Sequence, residues 1–182
     1  MLKLVENPPM LPDGVDSLVD LKGNWWVAHT KSRFEKALAW ELLACEIPFF
    51  LPMIERTALW GGRRRKVLSP LFPSYVFFCG DAEDRQRVFR TNRICQTLPV
   101  LQRERFVSEL DAIRRTLACK HQLTLYPFAA VGKHCRVAHG PMRGIEGIIV
   151  RQNGTIRVVL QVSILGQGAA LEIDANMLEP AD

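Results

Sequence analysis

The stretch Arg63–Phe78, "RRRKVLSPLFPSYVFF", decides how the rest of the chain is read. Four cations run into an apolar segment with aromatic residues on both sides, and Phe-Pro-Ser-Tyr marks a kink at the join. Apolar residues pointing both ways describe a strand covered on both faces, so "SYVFFCG" is predicted to be central in its sheet. Just upstream, "WGGRRRK" reads as a hairpin tip. "IPFFLPMIERTAL" is then the preceding extended segment, with Pro48 and Pro52 suited to an edge or bulge.

Working outward, "NWWVAHT" (Asn24–Thr30) is predicted as a strand and "KSRFEKALAWELLACE" as a helix. Phe34, Leu38, Leu42 and Cys45 fall on one helical face, and Ser32 with Glu35 has capping-box spacing. "DAEDRQRVFRT" is a short helix opened by acids, and "RICQTLPV" a further strand. "FVSELDAIRRTLACKH" is a helix capped by Ser108, with Leu110, Ile113 and Leu117 along one side. Beyond it the pattern changes. "HCRVAHG", "PMRGIEGIIVRQ", "TIRVVLQV", "AALEID" and "MLEP" are short strands, and Asn153-Gly154 is a hairpin signal because both central residues of a type I′ turn need positive φ. Ile156, Val158, Leu160 and Val162 alternate to one side. A small closed barrel satisfies such strands, since closure removes sticky edges. The expected fold is α+β: a flexible arm at 1–23, an α/β sandwich with a mostly antiparallel sheet and flanking helices at 24–118, a linker at 119–128, and a small barrel at 129–182.

The 182 residues carry a net charge of +5, unevenly placed. Residues 1–22 balance at −2 and residues 129–182 at zero, whereas 23–128 hold seventeen cations against ten anions. A polyanion or an acidic protein face is therefore expected to meet the middle block alone. Five cysteines without a CxxC read as reduced, buried small hydrophobes in a reducing cytoplasm. The N-terminus lacks the pattern of a signal peptide and no apolar run has the length of a membrane span. The four histidines show no metal-ligand spacing, and no nucleophile elbow, P-loop or GxGxxG is present. No metal, cofactor or catalytic residue is expected, and the chain is not expected to be an enzyme.

Two sets of residues remain as candidate sites. The run Arg63, Arg64, Arg65 and Lys66 is either a solvated hairpin end or a phosphate contact. Its company of Lys31, Arg33, Lys36, Arg85, Arg87, Arg90 and Arg93 favours neither decisively. Phe72 and Tyr75 form either a core corner or an exposed apolar patch of the kind that marks a partner site. Spacing leaves both questions open.

"WWVAHTKSRFEKALAWEL", "LFPSYVFF", "VAHGPMRGIEGIIV" and "VSILGQGAALEID" together resemble the NusG family of transcription elongation factors, an N-terminal domain joined to a C-terminal KOW domain. The resemblance covers residues 24–181. It implies that the first domain binds the clamp helices of the largest RNA polymerase subunit through His29, Phe72 and Tyr75, and that pausing or termination is suppressed. It also implies that Lys31 lies beside the non-template DNA strand. The KOW domain would recruit a partner, Rho or a small-subunit ribosomal protein, through Ile164 and Leu165. Ser74 replaces the glycine usual in Phe-Pro-Gly-Tyr, and Leu165 an aromatic residue. These departures and the wording of "HTKSRFEK" are similar to the specialised RfaH and UpxY paralogues, which act on selected operons. The β-branched residues of "TIRVVLQV" predict a stable barrel rather than a helical alternative. The rival expectation is a KOW-type RNA-binding or ribosome-associated module without polymerase contact, against which the neutral balance of 129–182 argues. A monomer is expected.

Overall fold

The computed structural model describes residues 7–15, 17–152 and 154–181. It divides into two compact units, 1–103 and 104–182. The elements of the first are β1 (Asn24–Thr30), α1 (Glu35–Ala44), β2 (Phe49–Phe50), β3 (Met53–Trp60), β4 (Arg63–Pro70), β5 (Tyr75–Gly80), α2 (Ala82–Arg90) and β6 (Ile94–Pro99). A four-stranded antiparallel sheet has the order β2-β5-β1-β6, and β3 and β4 form a separate two-stranded ribbon. The predicted central strand is β5, interior in the sheet with Val76–Gly80 all buried. Pro48 and Pro52 flank β2 at the sheet edge, where a missing N–H costs no ladder bond. The ribbon turns at Gly61 and Gly62, with φ of +54° and +75°. Trp60 pairs with Arg63 across them, a two-residue turn that needs left-handed backbone at both positions.

Helix α2 starts as read: the Asp81 side chain accepts from the backbone of Glu83 and Asp84, and Asp84 answers to the Asp81 N–H. Helix α1 does not. It begins at Glu35 after Phe34, with no side-chain cap, and Arg33 is left-handed at φ +66°. Ser32 caps nothing because the helix starts late and leaves it two residues ahead of the N-cap position, and the Glu35 carboxylate is committed to a backbone group elsewhere, described below. Leu38 and Leu42 are buried as expected, whereas Phe34 and Cys45 are exposed.

Residues 1–6 and Asp16 of the expected arm lie outside the described residues. The rest of it is held in place. The Leu51 N–H donates to the Met10 carbonyl at 2.8 Å, Arg103 donates to the Leu21 carbonyl, and Leu18 is fully buried. Prolines forbid helix there, but they do not prevent Met10 and Leu18 from covering apolar surface. Each such buried side chain stabilises by about 1.5–3 kcal/mol relative to exposure.

The second unit holds α3 (Arg103–Ala118, all but its first residue), β7 (Thr124–Tyr126), β8 (Lys133–Val137), β9 (Glu146–Gln152), β10 (Thr155–Val162), β11 (Gln167–Glu172) and β12 (Leu178–Pro180). The strands form one antiparallel sheet in the order β12-β8-β9-β10-β11-β7. The expected boundary moves on both sides. The units divide ahead of α3, and residues 124–126 of the expected linker are β7, paired to β11. Three residues are too few for alternation to show in sequence, although Thr, Leu and Tyr suit a strand. Helix α3 begins five residues before Ser108, which is exposed within it and caps nothing. Asn153 lies outside the described residues, but β9 and β10 pair around it with Thr155 opposite Gln152. Val158, Leu160 and Val162 are buried as the alternation predicts, and so is Val159.

Candidate functional site

The register of the four-stranded sheet sorts its residues onto two faces, because directly opposed residues project to the same side. One face carries Ala28, Val76 and Phe78, packed with Leu38 and Leu42 of α1 and Val88 of α2. The other carries Trp25, Val27 and His29 on β1, opposite Cys79, Phe77 and Tyr75 on β5, with Phe50 opposite Phe77. Phe77 is the centre of this second face. Phe72 meets it edge-on, with ring centroids 6.0 Å apart at 75°, and Phe50 lies 6.4 Å away.

The kink before β5 is a tight turn. The Tyr75 N–H donates to the Phe72 carbonyl at 3.2 Å, and Ser74 is left-handed at φ +67°. Pro73 followed by a positive-φ residue describes a type II turn, which ordinarily takes glycine at the third position. Ser74 is held there from two sides. Its N–H donates to Glu35 Oε1 at 2.7 Å, and its carbonyl accepts from the Thr30 N–H at 2.8 Å. One carboxylate therefore joins the start of α1 to the turn, and the turn joins the end of β1.

This geometry separates the two aromatic candidates. Phe72 is 1% exposed and belongs to the core, so it is no part of an open patch. Tyr75 is half-buried and stacks on half-buried His29, directly opposite it on β1, at 5.1 Å between ring centroids and 27° between planes. The sequence could not distinguish these residues, because a proline neighbour marks the kink but not which side of it faces inward.

The cations also sort. Exposed Lys31 donates to the Asn92 amide oxygen at 2.9 Å, and its backbone N–H to the Arg93 carbonyl. Arg63, Arg64, Arg65 and Lys66 are exposed along β4. Lys66 faces Glu55 at 3.2 Å, a surface pair of the kind that contributes well under about 1 kcal/mol. Others serve the fold. Arg85 lies over the Trp26 and Phe89 rings and donates to Thr97. Arg93 pairs with Glu41 at 2.7 Å and lies over Phe34. Lys36 donates to the Leu68 carbonyl at 2.6 Å and to Asn7. Burial lowers the Lys36 ammonium below its ordinary range, with the Glu35 carboxylate partly opposing.

In the second unit, Ile164 and Leu165 sit half-buried in a single 3-10 turn, Ser163–Leu165. Helix α3 holds the residue that opens this turn. Glu109 accepts from the Ser163 N–H at 2.9 Å and from its hydroxyl, and Arg105 donates to the same hydroxyl at 2.7 Å. Nothing local marks Glu35 or Glu109 for these parts, since each partner lies dozens of residues away along the chain. All five cysteines are free, but only Cys79 and Cys135 are buried. Cys45 and Cys95 are exposed, which corrects the expectation of uniformly buried thiols. Among the described residues no helix is long and apolar enough to cross a membrane, and no group of three metal-ligating side chains converges.

Residues 23–111 match the family model NusG, described as "Transcription termination factor nusG". Among solved structures, that titled "Domain interaction in Thermotoga maritima NusG" is similar at a TM-score of 0.48 and 17% identity, over 88% of this chain and 98% of that one. No curated protein matches the sequence.

Proposed function

We propose that this chain is a transcription factor of the NusG type, on the match of residues 23–111 to that family's model, and that it docks on the clamp helices of the largest subunit of RNA polymerase. In that position it suppresses pausing or termination. The carrying observation is the His29–Tyr75 stack, two rings that opposed strands present at the end of the rigid Phe72–Tyr75 turn. A half-exposed aromatic pair on a fixed backbone loses little freedom on binding and supplies the kind of anchor that dominates interfaces. Phe72 takes part from beneath, as the core residue that sets the turn. Lys31 and the ribbon cations lie along nucleic acid, where they steer and position an already docked factor. The turn carrying Ile164 and Leu165 recruits a further partner, Rho or a small-subunit ribosomal protein. The specialised, operon-selective role of RfaH-like and UpxY-like paralogues is the form of this function that the replacement of glycine by Ser74 and the exposed Lys31 favour.

The test is binding of the full chain to a clamp-helix fragment. Tyr75→Ala and His29→Ala are expected to weaken binding by tenfold or more at an unchanged melting temperature. Wild-type affinity in a folded double variant removes the stack from the interface.

A further inference from the structure

The register of the second unit's sheet sorts its charges as well as its core. Lys133 opposes Ile149 and Ile156 opposes Arg151, so these four side chains project to one side of β8, β9 and β10. Cys135 and Val158 project to the same side and are fully buried. Outward along the same rows burial gives way. Ile149 and Ile156 are half-buried, and Lys133 and Arg151 are exposed. The core on this side therefore opens into a cavity of about 540 Å³, floored by Ile149, Ile156 and Leu178 and rimmed by Lys133 and Arg151. The cross-strand ion pairs Arg136–Glu146 and Arg157–Glu172 occupy the alternate positions and lie on the opposite side. His134 and Glu179 border the cavity, but they too stand at alternate positions, with Glu179 opposite Arg136. Among the described residues no carboxylate pairs with Lys133 or Arg151.

We propose that this cavity binds a short acidic peptide segment of a partner protein, with an aliphatic side chain on the floor and carboxylates to either side of it on Lys133 and Arg151. The inference goes beyond the docking of His29 and Tyr75 and the turn of Ile164 and Leu165, and rests on neither. The volume falls within the roughly 300–1,000 Å³ of ligand pockets. Floor and rim together select the occupant. A nucleic acid would set phosphate against apolar surface, and the aliphatic floor gives its bases no aromatic ring to stack on. A wholly apolar ligand would leave two cations without partners. The ladder sets the spacing. Arg151 lies about 6.8 Å from Ile149 along β9, and Lys133 sits across the ladder from Ile149, so a carboxylate falls one or two residues to each side of the aliphatic anchor. Arginine meets a carboxylate through its planar fork and lysine as a point charge. The cavity is also remote from the Ser163–Leu165 turn. Six residues of β10 carry the strand from Ile156 to Val162, about 20 Å, before that turn begins. A peptide in the cavity therefore leaves the turn uncovered.

The experiment titrates the full chain into a fluorescein-labelled peptide, Asp-Glu-Leu-Asp-Glu, and follows its anisotropy at low salt. Saturable binding is expected, weakening as salt screens the rim. Lys133→Ser with Arg151→Ser is expected to lose about tenfold in affinity, whereas Lys120→Ser with Arg143→Ser, an equal loss of charge elsewhere in the same unit, loses less than about twofold. All four side chains are exposed, so both variants should melt with wild type. A probe with glycine in place of leucine, and one with the four acids replaced by their amides, should each bind at least about tenfold more weakly. An unchanged affinity in the Lys133 and Arg151 variant overturns the proposal, as do equal losses in the two variants. Equal binding of either altered probe overturns it too, since floor or rim then takes no part. So does the absence of saturable binding by the wild-type chain. A single-stranded oligodeoxynucleotide of the same charge that displaces the peptide at lower concentration than the unlabelled peptide itself overturns the choice of a peptide.

Discussion

Ser74 stands where the backbone favours glycine, and a residue with a Cβ is strained there by about 1–2 kcal/mol. The Glu35 carboxylate and the Thr30 N–H offset that strain by bonding the N–H and the carbonyl on either side of the Ser74 Cα. Ser74→Gly is therefore expected to melt no lower than wild type. Ser74→Val, β-branched in a left-handed position, should lose about 2 kcal/mol in denaturant unfolding. Glu35→Gln keeps an oxygen for the Ser74 N–H and should cost less than Glu35→Ala. Phe72 tests a neighbouring point. Its truncation to alanine empties a fully packed site against Phe77 and should cost about 3–5 kcal/mol, where Tyr75→Ala costs far less. Lys36 carries a pH signature. Its folded pKa is lowered by burial, so between that value and the ordinary lysine value the unfolded chain holds the extra proton. Stability should then rise with pH across that window in wild type, relative to Lys36→Met, and the two should run parallel below it. Parallel curves throughout would remove Lys36 from the account.

Elements whose signals are local were legible in the sequence, and elements settled by distant partners were not. The α2 cap lies wholly within four consecutive residues, Asp81 to Asp84, so its wording was sufficient. Asp81→Ala should accordingly cost about 1 kcal/mol. The same capping-box pattern at Ser32 and Glu35 misled, because a turn almost forty residues away claims Glu35. The central position of β5 was readable from its two-sided apolar run, and the ribbon tip from its paired glycines. The division of Phe72 from Tyr75 needed the packing of the turn against Phe77. Thiols follow the same logic. Burial raises the Cys79 and Cys135 pKa values, with a backbone hydrogen bond at Gly147 partly opposing at Cys135 and the Arg103 charge at Cys79. In the native protein at mildly alkaline pH, iodoacetamide should modify Cys45 and Cys95 first. Modification of Cys79 or Cys135 at the same rate would contradict their burial.

At the scale of the molecule, the sequence located the change from mixed elements to strands but misplaced the seam. Residues 119–128 looked like a linker because Pro127 and a loss of periodicity fall there. Yet Thr124–Tyr126 completes the sheet beside β11, while Phe128 and Val131 just beyond are widely exposed. Limited chymotryptic digestion should therefore nick at Phe128 without separating the pieces, since β7 remains hydrogen-bonded to β11. Elution of residues 129–182 alone after that nick would show that β7 is not part of the sheet.

Helix α3 gives this seam a meaning for descent. The match to the family model runs to residue 111, whereas the second compact unit starts at 104, so one helix falls in both. Glu109, within the overlap, accepts from both the N–H and the hydroxyl of Ser163 at the head of the Ser163–Leu165 turn. A gene fusion that exchanged only the segment before the apparent linker would confront Ser163 with a stranger's helix. Leaving those groups without acceptors costs about 1–3 kcal/mol each where they are shielded from water. Halves that look interchangeable in sequence are thereby bound to be inherited together, and variation at 109 should be answered by variation at 163.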